Sequence, residues 1–404
     1  MRVAVVGGGV SGLAAACEVR RLSPKTEVLV LEAGSRVGGL VHTERSSEGF
    51  LFEHGPDSLY AWRPEGLAAI CDFGLSGDLV TGTDTPRPAF FSRRAGPMHQ
   101  PAGAFAVGPY PAAAFLRAPS RCWFEKTRPG HALFAPYRNG SRIEQISLAR
   151  GMSQHAGRRA LSPGQITLVS LQNGMESLPL AMARALGSRV RLGNAVQRIT
   201  RGPLGRYRLD IVGRGTLHAD AVIMAAPAFH AAGLCARLSQ PLADDLGQIQ
   251  HTGYASVHLS FRLQDIAHPM DGTGFVVPAR AGRSLTVCTW MHRKWPARAP
   301  GDAVLLRCFV RPPYVSRADV VERALTDLRE LMGIHAAPEL LHVVSQRRAL
   351  PSYTAGHAAR VGRLHAAASA LPGFALAGNA LRGAGIPDCI TAGREAARRI
   401  MAPG

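Results

Sequence analysis

The chain opens on an apolar run, Arg2–Val6, that ends directly in Gly7-x-Gly9-x-x-Gly12. Good helix formers follow in Leu13–Arg21. This order reads as a buried strand, a tight turn and a helix. Gly7 permits the turn. Gly9 lets the backbone approach a pyrophosphate at the helix N-terminus, and Gly12 lets the helix pack close to the strand. Gly8, Val10 and Ser11 complete the loop. A second apolar run, Val28–Leu31, ends at Glu32 and Ala33, with Glu32 twenty residues after Gly12. A carboxylate there accepts hydrogen bonds from a ribose diol and repels a 2′-phosphate. A lone glycine triplet is often only a tight turn. Strand, helix and spaced acid together predict a βαβ unit that binds a dinucleotide, without separating NAD from FAD.

At 404 residues the chain can bury a large core, divided between two domains. Met1 leads straight into the first strand, so no signal peptide is expected. The longest uncharged apolar stretch, near Ala102–Leu116, is short and broken by Gly and Pro, so no transmembrane helix is expected. The formal net charge is +19, and Lys25, Lys126 and Lys294 are the only lysines. Three sources of that charge stay open: genomic base composition, attraction to anionic lipid, and attraction to a carboxylate-bearing substrate. The arginines are spread along the chain with no basic helix, which argues against nucleic acid. The seven cysteines form no C-x-x-C pair, which fits a reducing, cytoplasmic compartment. The fifteen histidines show no metal-binding spacing, so no metal site is expected.

Further along, Leu178–Leu186 reads as a helix, and Val190–Leu192, Tyr207–Ile211 and Ala221–Met224 read as strands. Ala255–Arg262, Gly274–Val277, Leu285–Trp290 and Ala303–Phe309 alternate like antiparallel strands. Ala318–Met332 has helical periodicity. Phe374–Ala377 reads as a last strand and Ile390–Met401 as a last helix. The nucleotide-binding domain is therefore expected to be discontinuous, with a substrate domain inserted.

Three further segments narrow the reading. Arg36-x-Gly38-Gly39 resembles the second FAD motif of amine-oxidase-like flavoproteins. Phe52-Glu53-His54-Gly55-Pro56-Asp57 resembles the stretch that runs beside the isoalloxazine in that superfamily. LAGNALRGAGIPDCITAGREAA, residues 376–397, is similar almost residue for residue to the C-terminal signature of the FAD-dependent protoporphyrinogen and coproporphyrinogen oxidase family. Leu350–His357 resembles that family's P-x-Y-x-x-G-H element, and residues 265–278 and 303–309 resemble its central sheet. Asn173-Gly174-Met175 resembles its gly-gly-Met segment, with Asn173 for the first glycine.

The resemblance implies an α/β fold: a discontinuous, glutathione-reductase-like Rossmann domain for FAD, with an inserted α+β substrate domain on a mainly antiparallel sheet. The implied parts are FAD-binding residues 1–85, a shortened insert at 86–165, FAD-binding residues 166–230, a substrate domain at 231–364, and FAD-binding residues 365–404. The implied activity is oxidation of a porphyrinogen to the porphyrin in heme biosynthesis. FAD takes hydride from a saturated carbon, and dioxygen reoxidises it with release of hydrogen peroxide. The protein's task is to orient the macrocycle and tune the flavin. No acid–base dyad is assigned. Gly378, Gly385, Ile386 and Pro387 are implied at the flavin, and Val196 at the adenine end. Arg87 is implied to pair with a substrate propionate, and Phe275 and Val276 to wall the macrocycle; as strand residues these two equally suit a core. Weak association with the inner face of an anionic membrane is also implied.

Two departures matter. The segment from Pro101 to Asn173 is about half the length usual in the family, and Gln346 stands near a position often occupied by tryptophan. Two other readings therefore stand beside the first: an amine-oxidase-like oxidase of another substrate, and a flavin-binding paralogue with little catalysis.

Overall fold

The computed structural model describes residues 1–61, 63–82, 89–92, 96–98, 168–202, 205–277 and 281–402. β1 (Arg2–Val6) passes into α1 (Val10–Leu22), and the chain returns as β2 (Glu27–Leu31), parallel to β1. β3 (Thr43–Arg45) and β4 (Leu51–Glu53) form an antiparallel hairpin. β5 (Leu59–Tyr60), α2 (Pro64–Asp72) and β6 (Leu79–Thr81) follow, then β7 (Ala89–Ser92) and β8 (Gly96–Met98). β9 (Leu168–Leu171) pairs with both β5 and β6. After α3 (Ser177–Leu186) and β10 (Val190–Arg191), three antiparallel strands make a small sheet: β11 (Val196–Arg201), β12 (Tyr207–Ile211) and β13 (Gly215–Ala219). β14 (Ala221–Met224), α4 (Ala228–Cys235) and α5 (Gln240–Gly247) come next. Then come β15 (His251–Arg262), β16 (Gly274–Val276), β17 (Leu285–Trp290), the one-turn α6 (Met291–Lys294) and β18 (Ala303–Val310). The chain closes with α7 (Arg317–Met332), β19 (Leu340–Pro351), α8 (His357–Ser369), β20 (Phe374–Leu376) and α9 (Ile386–Met401).

Two large sheets organise these elements. The first is parallel, in the order β10-β2-β1-β14-β20. Its strands come from the start, the middle and the end of the chain, so this Rossmann-like unit is discontinuous. Val3, Ala4 and Val5 are fully buried because β1 is covered on both faces. On one face α1, α3 and α9 pack around Leu13, Met182 and Ile390. On the other lie the small sheet and α4, α5 and α8, around Tyr207, Leu242 and Leu364. Helices α4, α5 and α8 overlap the expected 231–364 substrate domain, yet their apolar faces join this first unit's core.

The second sheet runs β19-β15-β18-β17-β16-β7-β8. It is antiparallel except where β16 meets β7. Helix α7 covers one face, packing Val320, Ala324 and Leu328 on Ala255, Val257 and Leu306. The alternate residues of β15 and β18, Ser256, His258, Ser260 and Arg307, are also buried but belong to the opposite face. Strand β19 has no clean apolar alternation, because it is an edge strand that shows one side to solvent. Helix α9 begins a turn earlier than Ile390. Pro387 suits a first turn, and the Gly385 N–H donates to the Asp388 carboxylate at 3.2 Å.

Helices α1 and α9 approach closely at one point. A Cβ on Gly393 would lie 2.1 Å from the Ser11 carbonyl oxygen and 2.9 Å from the Ala15 nitrogen. Backbone cannot yield as a flexible side chain does. Gly393→Ala is therefore expected to push α9 away and lower stability by about 1–3 kcal/mol, read from urea denaturation. An unchanged midpoint would mean that the crossing carries no constraint.

Candidate functional site

The first glycine loop turns at the carboxyl end of β1. Gly7 has φ +109°, and a Cβ on it would stand 2.9 Å from the Ala225 carbonyl oxygen. Gly12 is tighter still, with its Cβ position 1.9 Å from the Gly7 oxygen. Gly9 differs from both. Its φ of −70° suits any residue, and the nearest atom to an added Cβ would be the Gly39 Cα at 4.0 Å. The space above Gly9 is open at the N-terminus of α1, which begins with Val10 and Ser11. That is the room a pyrophosphate needs.

Other sequence-expected segments converge on this loop. The Glu32 carboxylate accepts from the Gly8 N–H at 2.6 Å and the Gly34 N–H at 2.7 Å, with Ala33 between. It stands at the loop's rim, where a ribose diol can reach it. The Gly38 N–H donates to the Gly8 oxygen at 2.9 Å, so the second motif docks on the first. Arg36 braces that turn by donating to the Gly39 oxygen at 2.7 Å. Gly55 backs onto it, since a Cβ there would lie 2.0 Å from the Leu40 oxygen. Gly378 follows β20 with φ +126° and nothing within 4 Å of its Cβ position. Gly385 caps α9, with Ile386 and Pro387 in the first turn. Val196 opens β11 beside Asn194, whose N–H donates to the Glu32 oxygen at 2.8 Å. The glycine-lined space lies at the carboxyl ends of β1, β14 and β20, where open α/β sheets bind ligands. These residues fit FAD.

Beside Gly55 and Pro56 lies a group of buried charges that sequence reading missed. Glu53 and Arg298 are both fully buried, with 3.8 Å between Nη2 and Oε1. Arg298 also donates to the carbonyls of Leu171 and Gln172 and to the Ser170 hydroxyl. Glu53 accepts from the Met175 N–H at 2.9 Å and the Thr43 hydroxyl at 2.8 Å. Burial pushes the Glu53 carboxyl up to about 7. Asp57 behaves oppositely. Burial alone would raise it, but the Lys294 ammonium and the Arg307 guanidinium hold it well below the ordinary carboxylate range. Lys294 donates to Asp57 Oδ2 at 2.6 Å, and the Trp295 ring N–H donates to the same oxygen at 3.1 Å.

Three expectations need restating. Phe275 belongs to the core under α7, because strand alternation places it with Val277 on that face. Val276 alternates to the opposite face and is buried there. Arg87 lies outside the described residues, as does the segment from Pro101 to the start of β9. The histidines show no metal-binding spacing in the sequence. The fold gathers His42, Glu44 and His54, whose candidate ligand atoms all lie within 4.8 Å of one another. His42 directly precedes β3 and Glu44 lies within it, a short-range spacing that the sequence does show. Among the described residues no helix is long and apolar enough to cross a membrane.

Comparison with known proteins agrees with this geometry. Residues 102–401 match the family described as flavin containing amine oxidoreductase, and residues 5–72 match a NAD(P)-binding Rossmann-like domain. The chain belongs to the flavin-containing amine oxidoreductase family. Family membership makes it a flavin-containing oxidoreductase and implies FAD as the cofactor. A relative named coproporphyrinogen III oxidase, from Bacillus subtilis (strain 168), is 28% identical over 459 aligned positions. The alignment covers 98% of this chain and 96% of the relative. The chloroplastic protoporphyrinogen oxidase of Oryza sativa subsp. japonica is 27% identical, covering 98% of this chain and 87% of that one. A solved structure of a proposed protoporphyrinogen oxidase from Exiguobacterium sp. 255-15 superposes with TM-score 0.80 at 28% identity, covering 99% and 98%. Cyclohexylamine oxidase from Brevibacterium oxydans IH-35A gives TM-score 0.73 at 16% identity over 99% and 98%, a likeness of fold alone.

Two outcomes follow for this site. Gly9→Val is expected to fold with parental stability yet purify without flavin, because the side chain enters open space that the pyrophosphate needs. Normal flavin absorbance in that variant would overturn the cradle assignment. The second outcome concerns pH. Glu53 titrates higher in the folded chain than its ordinary value of 4.5, so its share of stability is largest below that value and fades as pH rises to about 7. Glu53→Gln should remove a falling stability slope across that interval, on the order of 3 kcal/mol in total. Parallel slopes in parent and variant denaturation curves would show that Glu53 does not titrate there.

Proposed function

We propose that the protein oxidises a porphyrinogen to the porphyrin, with FAD as hydride acceptor and dioxygen as the final acceptor. The C-terminal segment 376–397 carries this reading, because the family's most specific signature coincides with the open glycine Gly378 and the start of α9 at Gly385. Full-length alignment to relatives named coproporphyrinogen III oxidase and protoporphyrinogen oxidase supports it. Bound there, non-covalently, the flavin supplies the redox chemistry. The chain's own part is to hold it on the Gly9 and Gly38 turns and to present the macrocycle to it. The N-terminus of α9 and its backbone N–H groups would stabilise negative charge on the flavin.

The 459-position alignment exceeds this chain's 404 residues, so the relative carries residues without counterpart here. A porphyrinogen is broad and floppy and needs walls on both faces to hold one carbon over the flavin. A shortened 101–173 segment gives a more open pocket, favouring the propionate-rich coproporphyrinogen over protoporphyrinogen. Arg87 is proposed as a propionate partner. Arg87→Ala should raise KM roughly 10- to 150-fold with flavin content unchanged, since a charge-assisted pair is worth roughly 1.5–3 kcal/mol. The test is porphyrin fluorescence in air with each porphyrinogen. Porphyrin formation no faster than in a flavin-free control would sink the proposal. A higher kcat/KM for protoporphyrinogen would overturn the substrate preference alone.

A further inference from the structure

We propose that the β3–β4 hairpin and the edge strand β19 together bind one divalent cation of zinc-like ligand preference, held by His54, His342, Glu44 and His42. The geometry is nearly formed in the metal-free chain. His54 Nε2 lies 3.2 Å from His342 Nε2 and 3.2 Å from Glu44 Oε2. His342 Nε2 and the same Glu44 oxygen are 3.8 Å apart. Zinc bonds nitrogen and oxygen at about 2.0–2.1 Å, so two ligands at a tetrahedral angle stand about 3.3 Å apart. The three donor atoms thus outline one face of a zinc tetrahedron with little movement required.

His42 is the fourth ligand, with a ring nitrogen within 4.8 Å of the Glu44 and His54 ligand atoms. Its ring centroid lies 4.5 Å from that of His54, edge to face. Its Nδ1 is engaged by the Glu176 carboxylate at 2.9 Å, which leaves Nε2 for a cation. A carboxylate at one imidazole nitrogen with metal at the other is the arrangement that fixes ring orientation and raises ligand basicity. Packing holds a second ring in place, since His342 stacks on Phe52 with centroids 4.7 Å apart and planes 4° from parallel. A cavity of about 590 Å³, lined by Glu44, His54, Arg317, His342 and Gln346, opens the cluster to solvent. An entry path is thus present. Three imidazoles and one carboxylate suit a borderline cation such as Zn²⁺ or Co²⁺, and not Ca²⁺ or Mg²⁺, which take oxygen ligands.

The ligands span both structural units. His42, Glu44 and His54 come from the hairpin after the first βαβ unit, and His342 comes from the second sheet. A bound cation would staple the two together and steady the turn at Gly55. This inference does not rest on the substrate reading.

The test uses flavin-loaded protein stripped with EDTA. Titration with Zn²⁺ followed by calorimetry should show one equivalent per chain, and Co²⁺ should develop the visible bands of a tetrahedral site. Zn²⁺ should raise Tm. His342→Ala and His54→Ala should each weaken Zn²⁺ binding more than roughly 100-fold, and Glu176→Gln roughly 10-fold. The exposed, distant His218→Ala should change nothing. Circular dichroism in EDTA checks that each variant folds, and His342→Asn replaces His342→Ala where it does not. Substoichiometric Zn²⁺, or binding unaffected by the His54 and His342 variants, would overturn the site.

Discussion

The contact between Arg298 and Glu53 ties the connection between β17 and β18 to the β3–β4 hairpin. Burying a guanidinium and a carboxylate costs several kcal/mol per ion, and their attraction offsets this only when hydrogen bonds satisfy the remaining atoms. Arg298 reaches three carbonyl or hydroxyl groups on residues 170–172, and Glu53 accepts from Met175 and Thr43. Four residues on, Asp57 receives Lys294 and Trp295. The segment 53–57 is therefore anchored at both ends by side chains from the loop between β17 and β18. Gly55 lies between the anchors, close against the Leu40 turn. Displacing that connection would leave buried charges without partners, at a cost of about 3–5 kcal/mol.

That rigidity gives the glycine cradle its meaning. Gly7, Gly12 and Gly55 are small because backbone lies against them, whereas Gly9 and Gly378 are small with space in front. The first kind builds the turn. The second kind leaves room for something absent from the polypeptide. Both kinds sit at the carboxyl ends of strands whose residues are hundreds apart in sequence, so the cradle exists only once the parallel sheet has closed.

The faces of the second sheet divide labour in the same way. The α7 side is a plain apolar core, with Phe275 inside it. The other side buries Ser256, His258, Ser260 and Arg307. Burial holds the His258 imidazole well below its ordinary range, so that ring is neutral. This polar face packs against the segment 52–57, where the Phe52 ring lies 5.2 Å from the His258 ring, centroid to centroid.

The sequence by itself determined the βαβ unit, the acid at Glu32, the discontinuous domain and the four strands β15–β18 of the second sheet. These rest on local causes: backbone conformations only glycine adopts readily, fixed spacing along one turn, and strict alternation over several residues. The C-terminal signature was legible for the same reason, since Gly378 to Pro387 is a strand exit and a helix start read within one short stretch. Edge strand β19 was not legible, because only Val344, Ala349 and Pro351 are buried and they share no alternation. Phe275 was ambiguous because alternation predicts two faces without saying which one meets α7. Tertiary structure alone decided the buried pair of Glu53 with Arg298 and the meeting of His54 with His342. Those partners lie hundreds of residues apart, and a charge or an imidazole in a sequence carries no sign of what folding will bring beside it.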